Sequence, residues 1–100
     1  MQVMYVVVSK WEYDPAYEAE VRASASMMMQ ALTSWPEVAF AYNVRAGDGY
    51  VLAIVGYRDE DSYRRLVQEP NGPFEKAAAE HGIERHARWI WSERGVMEQL

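Results

Sequence analysis

Two alternating apolar runs lie on either side of the sequence AGDG in residues 37–57, EVAFAYNVRAGDGYVLAIVGY. Alternation on both sides of such a turn predicts a β-hairpin. Both phases of the alternation are largely apolar, so neither face of this hairpin is typical of a surface in contact with water. The chain therefore has to fold into a sheet that is covered on both sides.

The register of the hairpin decides which side chains share a face, because a shift of one residue exchanges the two faces. A two-residue loop at Gly47-Asp48 would pair Arg45 with Tyr50. One face would then carry Val38, Phe40, Tyr42, Val44, Val51, Ala53, Val55 and Tyr57. The other would carry Ala39, Ala41, Asn43, Arg45, Tyr50, Leu52 and Ile54. We expect the face with Tyr42 and Tyr57 to lie beneath the helices.

The other segments have equally local signals. Residues 2–8 (QVMYVVV) are β-branched and aromatic, as in a buried strand. Asp14 and Pro15 predict the start of a helix, and Trp35-Pro36 predicts its end. Further segments are predicted at 59–69 (helix), 74–81 (helix, stopped by Gly82) and 84–92 (strand).

The predicted order β-α-β-β-α-β is that of the ferredoxin-like α+β fold, here as one domain over residues 1–100. This fold has a four-stranded antiparallel sheet with both helices on one face. The second face of the sheet is also apolar, and no further element of the chain is left to cover it. We therefore expect a second copy to pack sheet against sheet in a twofold homodimer.

The last strand, within ERHARWIWSE (residues 84–93), repeats the pattern of two non-polar faces. Simple alternation places Trp89 and Trp91 on the helix side, and His86, Arg88 and Ile90 on the other. Tryptophans at this spacing are compatible with ordinary core packing or with the wall of a flat pocket for an aromatic ligand.

Composition excludes several classes of function. A formal net charge of −5 disfavours a nucleic-acid partner, since phosphate binding needs a basic surface. The absence of cysteine excludes disulfides and thiolate chemistry, and it suits the cytoplasm, which is the expected location. The apolar start of the chain is broken at Ser9 and Lys10, and no run is long enough for a membrane span. No motif for a bound metal or a phosphate loop is present.

The stretch VLAIVGYRDEDSYRRLVQEPNGPF, residues 51–74, resembles the dimeric α+β barrel proteins, and among them the antibiotic-biosynthesis-monooxygenase-like group. Members of this group often end strand three with an aromatic residue, start the next helix with acidic or small polar residues, and have a later phenylalanine. Tyr57, residues 59–62 and Phe74 occupy these places.

The resemblance implies three possible functions. Some members are cofactor-free monooxygenases that oxidise aromatic substrates between the sheet and the helices. Others bind and degrade heme through a histidine on the second helix and an asparagine on strand one. This chain departs from the heme pattern, because strand one has no asparagine and Ala77 and Ala78 stand where a histidine is wanted. A third possibility is a non-catalytic ligand-binding or assembly protein with a filled core.

In the monooxygenase interpretation, a small apolar or aromatic molecule is oxidised without metal or cofactor. Tyr57, Trp89 and Met28 would bind the substrate, Tyr42 would donate a hydrogen bond to its oxygen, and His81 is the leading proton acceptor. Each of these residues also has an ordinary structural interpretation. His81, for example, lies where a helix C-terminus favours a positive charge.

Overall fold

The computed structural model describes residues 4–98. Strand β1 (Tyr5–Tyr13) leads through a 3₁₀ turn (Pro15–Tyr17) into helix α1 (Glu18–Thr33). Strands β2 (Val38–Gly47) and β3 (Tyr50–Tyr57) form the predicted hairpin. Helix α2 (Glu60–Tyr63) continues as a π-helical segment (Arg64–Gln68), and helix α3 (Pro73–His81) precedes strand β4 (Ala87–Val96).

All neighbouring strands are antiparallel, and their order across the sheet is β2-β3-β1-β4. The predicted ferredoxin-like α+β fold is therefore confirmed. Alternate residues of β1, including Val7 and Trp11, point toward α1. We call this side of the sheet the inner face. We call the opposite side the open face. Within residues 4–98, no helix is both long and apolar enough to cross a lipid bilayer.

The core lies between α1 and the inner face. Leu32 of α1 and Tyr57 of β3 are only 1% and 2% exposed. The ring centroid of Tyr57 is 5.4 Å from that of Tyr63, which lies 5.3 Å from Tyr5. At its other end α1 is held by Glu18, whose carboxylate accepts a hydrogen bond from the Tyr13 hydroxyl at 3.2 Å.

Local signals also determine the ends of the helices. The Asp59 carboxylate accepts a hydrogen bond from the Ser62 backbone N–H at 2.7 Å, and this bond holds the pKa of Asp59 below its ordinary value. Asn71, in the break before α3, has a φ of 57°. Gly82 ends α3 in the left-handed conformation with a φ of 63°, as its position in the sequence predicts.

The predicted register of the hairpin is wrong, because β2 contains two irregularities. Tyr57 pairs with Val38 and Gly56 with Phe40, which leaves Ala39 as an extra residue. Ala46 is a second extra residue, between the Arg45–Val51 and Gly47–Tyr50 pairs. Each bulge reverses the alternation of side chains.

Between these two bulges the faces of β2 are therefore the reverse of those predicted. Asn43 pairs with Ala53 and points to the inner face, whereas Tyr42 pairs with Ile54 and points to the open face. Arg45 is also on the inner side, where it forms an ion pair with Glu18. The turn itself is formed by Asp48 and Gly49, and Gly49 has a φ of 81°.

The predicted faces of β4 also need correction. A shift of register between Lys10 and Trp11 places Trp89 opposite Trp11 but Trp91 opposite Lys10. The two tryptophans consequently lie on opposite faces of the sheet, with Ile90 as the extra residue between them. On the same strand, the Arg88 guanidinium group lies 3.4 Å from the Glu12 carboxylate of β1.

Candidate functional site

A partly enclosed cavity of about 110 Å³ lies between the inner face of the sheet and the helices. Helix α1 forms its roof with one apolar stripe, and β1 and β3 form its floor. The apolar lining is made of Val7, Trp11, Val21, Ala25, Met28, Met29, Leu32, Val51, Ala53, Val55, Phe74, Ile83 and Ala87. A lining of this kind favours an apolar ligand.

A small number of polar groups interrupt this lining: Ser9, Ser24, Asn43 and Tyr57. Ser9 accepts a hydrogen bond from the indole Nε1 of Trp11 at 3.0 Å, which fixes the orientation of that ring. Asn43 lines the cavity and is an exposed residue, so it lies at the cavity rim. Its amide is the polar group best able to meet a ligand oxygen there.

Tyr57 is the titratable group that lines the cavity among the residues described. Burial raises the pKa of its phenol far above the ordinary value, and the nearby Tyr63 adds to this shift. The phenol is therefore neutral at physiological pH and can act as a hydrogen-bond donor, but not as an anionic base. Within residues 4–98, no carboxylate or imidazole contributes to the cavity wall.

The structure brings together two of the five predicted site residues. Tyr57 and Met28 both line the cavity, and their role in binding substrate stays a prediction. Tyr42 was expected in the cavity, but it lies on the open face and is 62% exposed, so this placement is wrong. The physical reason is the bulge at Ala39, which exchanges Tyr42 for Asn43 at the inner face.

The other two predicted residues lie outside the cavity lining. Trp89 is on the inner face but at the edge strand, 53% exposed, where its Nε1 donates to the Ser92 hydroxyl at 2.8 Å. His81 is the last residue of α3, and its Nδ1 is buried without a hydrogen-bond partner in the part of the chain described. Neither side chain is placed to contact a molecule in the cavity.

Sequence reasoning missed Trp11 and Ser9 because the first strand was ended at residue 8. In the structure β1 continues to Tyr13, and Val7, Ser9 and Trp11 alternate along its inner face. The signal was present, since the same alternation is visible in the sequence. Ser24 had no such signal, because a serine on an amphipathic helix is usually a surface residue.

The cavity does not fit a heme group. Its volume is far below the roughly 300–1,000 Å³ of sites that hold ordinary small molecules, and a porphyrin is a large ligand. Within residues 4–98, the lining offers no histidine as an axial ligand. The same residues contain no group of three or more His, Cys, Asp or Glu side chains placed to hold a metal ion.

The fold and the cavity together define a class: a ferredoxin-like α+β domain with a small apolar site between its sheet and its helices. Comparison with solved structures gives the same fold. SnoaB, a cofactor-independent oxygenase from Streptomyces nogalater, is similar with a TM-score of 0.69 and 18% identity, over 98% of this chain and 94% of that one.

A candidate antibiotic biosynthesis monooxygenase from Caulobacter crescentus CB15 is similar with a TM-score of 0.72 and 15% identity, over 99% of this chain and 92% of that one. A candidate antibiotic biosynthesis monooxygenase from Bordetella bronchiseptica has a TM-score of 0.67 and 11% identity, over 99% of each chain. No protein-family model and no curated protein matches the chain. The predicted likeness to the antibiotic biosynthesis monooxygenases is thus confirmed for the fold, over nearly the whole chain.

Proposed function

We propose that this protein is a cofactor-independent oxygenase that acts on a small aromatic molecule bound in the inner cavity. The observation that carries the proposal is the cavity itself, which is apolar throughout except at a few hydrogen-bonding groups. Its position in a fold shared with oxygenases supports the same function. Tyr57 and Met28 would contact the substrate, and Asn43 takes the role first expected of Tyr42.

The volume of the cavity limits the part of the substrate that it can hold. An apolar cavity of about 150 Å³ binds one benzene molecule in another protein. A cavity of about 110 Å³ therefore fits a single aromatic ring with a small adjustment of its walls. The thioethers of Met28 and Met29 can make that adjustment, because methionine side chains are flexible.

The polar groups suit a substrate that can itself donate the electrons that reduce O₂. A hydroxyarene that releases its phenolic proton to water before it binds carries carbanion character on the ring, and this carbon can reduce O₂ directly. One oxygen atom is retained as a new carbonyl and the other leaves as water, so that C₆H₆O and O₂ give C₆H₄O₂ and H₂O. The Asn43 amide would stabilise the substrate oxyanion, and the neutral Tyr57 hydroxyl would donate a second hydrogen bond.

Oxygen consumption tests this proposal. A panel of one-ring and two-ring phenols is incubated with the protein under ¹⁸O₂, and oxygen uptake and product mass are measured. We expect one O₂ consumed for each quinone formed, one ¹⁸O atom in the product and no hydrogen peroxide. Uptake no faster than the spontaneous reaction for every phenol would reject the oxygenase proposal.

The second candidate function is binding without catalysis. It is favoured by the cavity lining, which contains no carboxylate or imidazole to accept the substrate proton among the residues described. Calorimetry separates the two candidates, because a binding protein retains saturable phenol binding in the absence of oxygen uptake. The cytoplasm remains the proposed location, on the ground of the missing cysteines.

We also propose that two copies associate through the open face of the sheet. Tyr42, Val44 and Trp91 on this face are 62%, 41% and 40% exposed. Val8, Leu52 and Ile54 lie between them on the same face. Exposed apolar surface of this kind is typical of a protein contact.

The association is tested by sedimentation velocity. We expect the wild-type protein to sediment as a dimer and Tyr42→Asp as a monomer, because a carboxylate would have to be buried in the contact. Met27→Asp is the matched control, since Met27 is 50% exposed on α1, away from the open face. A monomeric wild type at micromolar concentration would contradict the proposal.

A further inference from the structure

A second groove, of about 320 Å³, lies beside the inner cavity, between α3 and the end of β1. The two spaces share three wall residues: Trp11, Phe74 and Ile83. They are therefore adjacent compartments divided by these side chains. The groove opens to solvent at Ala79, which is exposed.

The dividing wall combines one residue of β1 with two residues near the ends of α3. Trp11 is held in β1 by the pairing of that strand with two neighbours and by its hydrogen bond to Ser9. Phe74 lies in the first turn of α3, and Ile83 follows Gly82, which ends that helix. A ligand that occupies both spaces has to pass between Trp11 and these two side chains.

The sizes of the two spaces show what the groove adds to the inner cavity. The inner cavity alone is smaller than the roughly 300–1,000 Å³ of ordinary small-molecule sites, and the two compartments together reach that range. A ligand confined to the inner cavity could bury only one ring. A ligand that passes between Trp11 and Phe74 would bury a second part against α3.

The groove is also more polar than the cavity. Its rim includes Glu75, Glu84 and Arg85. Glu75 is engaged by the Asn71 backbone N–H at 2.5 Å. The Arg85 guanidinium group lies beside Gly82, 3.2 Å from the place where a side chain on that glycine would begin. The rim therefore carries hydrogen-bond acceptors, on the two glutamates, and a donor, on Arg85. This combination favours a polar, uncharged end on the ligand.

We propose that this groove is an outer subsite of the same ligand site, and that the substrate is an elongated aryl compound. Its reacting ring lies in the inner cavity, and its remaining part, ending in a hydroxyl or similar group, lies in the groove under α3. This inference rests on the proposed function, because it takes the inner cavity as the place of the reacting ring. The inference extends the proposed function by specifying the length and the polarity of the substrate.

The test compares two probes, phenol and 4,4′-dihydroxybiphenyl, by isothermal titration calorimetry. Ala79→Phe fills the groove without touching the inner cavity, and Ala23→Phe makes the same change on an exposed position of α1 that lines neither space. We expect Ala79→Phe to weaken binding of the biphenyl at least tenfold and binding of phenol less than twofold. Ala23→Phe should change neither, and Ala25→Leu, inside the cavity, should weaken both.

Unchanged binding of the biphenyl to Ala79→Phe would overturn the outer subsite, while loss of phenol binding in Ala25→Leu would still support the inner site. Equal weakening of both probes by Ala79→Phe would also overturn it. If the wild-type protein binds neither probe, the proposals of the inner site and of the outer subsite are both rejected. Circular dichroism of each variant confirms that the comparison is made between folded proteins.

Discussion

Replacing Asn43 by alanine should lower the turnover number for phenol oxidation by about 10²–10³-fold, the usual effect of removing one donor to a substrate oxyanion. Asn43 lies on the inner face, opposite Ala53, at the rim of the cavity. Its amide would be most important as negative charge builds on the substrate oxygen, so kcat should fall while KM changes little. Steady-state oxygen uptake measures both quantities.

Two further variants sharpen this experiment. Gln30→Ala removes an exposed amide from α1 outside the cavity, and its kcat should stay within twofold of the wild type. Tyr42→Phe tests the register, because the hydroxyl group points away from the cavity on the open face. If Tyr42→Phe lowers kcat and Asn43→Ala does not, the assignment of the oxyanion donor is wrong.

Replacing Leu32 by alanine should lower the free energy of unfolding by about 2–5 kcal/mol, the range for truncating a buried leucine. Leu32 is 1% exposed and belongs to both the core and the roof of the cavity. The lost side chain leaves a larger cavity, because the strands below α1 cannot close the gap fully. Urea denaturation followed by circular dichroism gives the free energy.

The matched control on the same helix is Met27→Ala, with a side chain that is 50% exposed and an expected change within about 0.5 kcal/mol. All variants are compared at one protein concentration, because association of two copies would raise the apparent stability. A small aromatic ligand should restore part of the stability of Leu32→Ala by filling the enlarged cavity. Equal effects of the two substitutions would show that α1 is not packed as described.

The order of the elements could be predicted because each boundary has a signal of its own. Asp14-Pro15 starts the first helical region, the proline after Trp35 ends it, and Gly82 stops α3. None of these signals depends on a residue that is distant in the sequence. The ferredoxin-like order, and with it the position of the cavity between α1 and the sheet, follows from such local information.

The faces of β2 could not be predicted in the same way. Both phases of its alternation are apolar, so hydrophobicity does not show which set points inward. The choice depends on the bulges at Ala39 and Ala46, and small residues at those positions give no distinctive pattern. The interchange of Tyr42 and Asn43 in the candidate site follows from this one ambiguity.

The faces of β4 are also difficult to predict from the sequence. Its bulge at Ile90 separates Trp89 from Trp91, although their spacing suggests a common face. Such an irregularity depends on how β1 pairs with its neighbour rather than on the sequence of β4 alone. The side chains that line a cavity are therefore harder to predict than the fold that contains it.

The paired bulges of β2 bear on how the lining of the inner cavity can change during evolution. Gain of one residue at one bulge and loss of one at the other would turn the segment over while leaving β3 and the length of the chain unchanged. A phenol would then replace an amide at the rim of the inner cavity, and the amide would move to the open face. Insertions and deletions at two alanines thus exchange the two faces of the whole segment at once, whereas a point substitution changes one side chain.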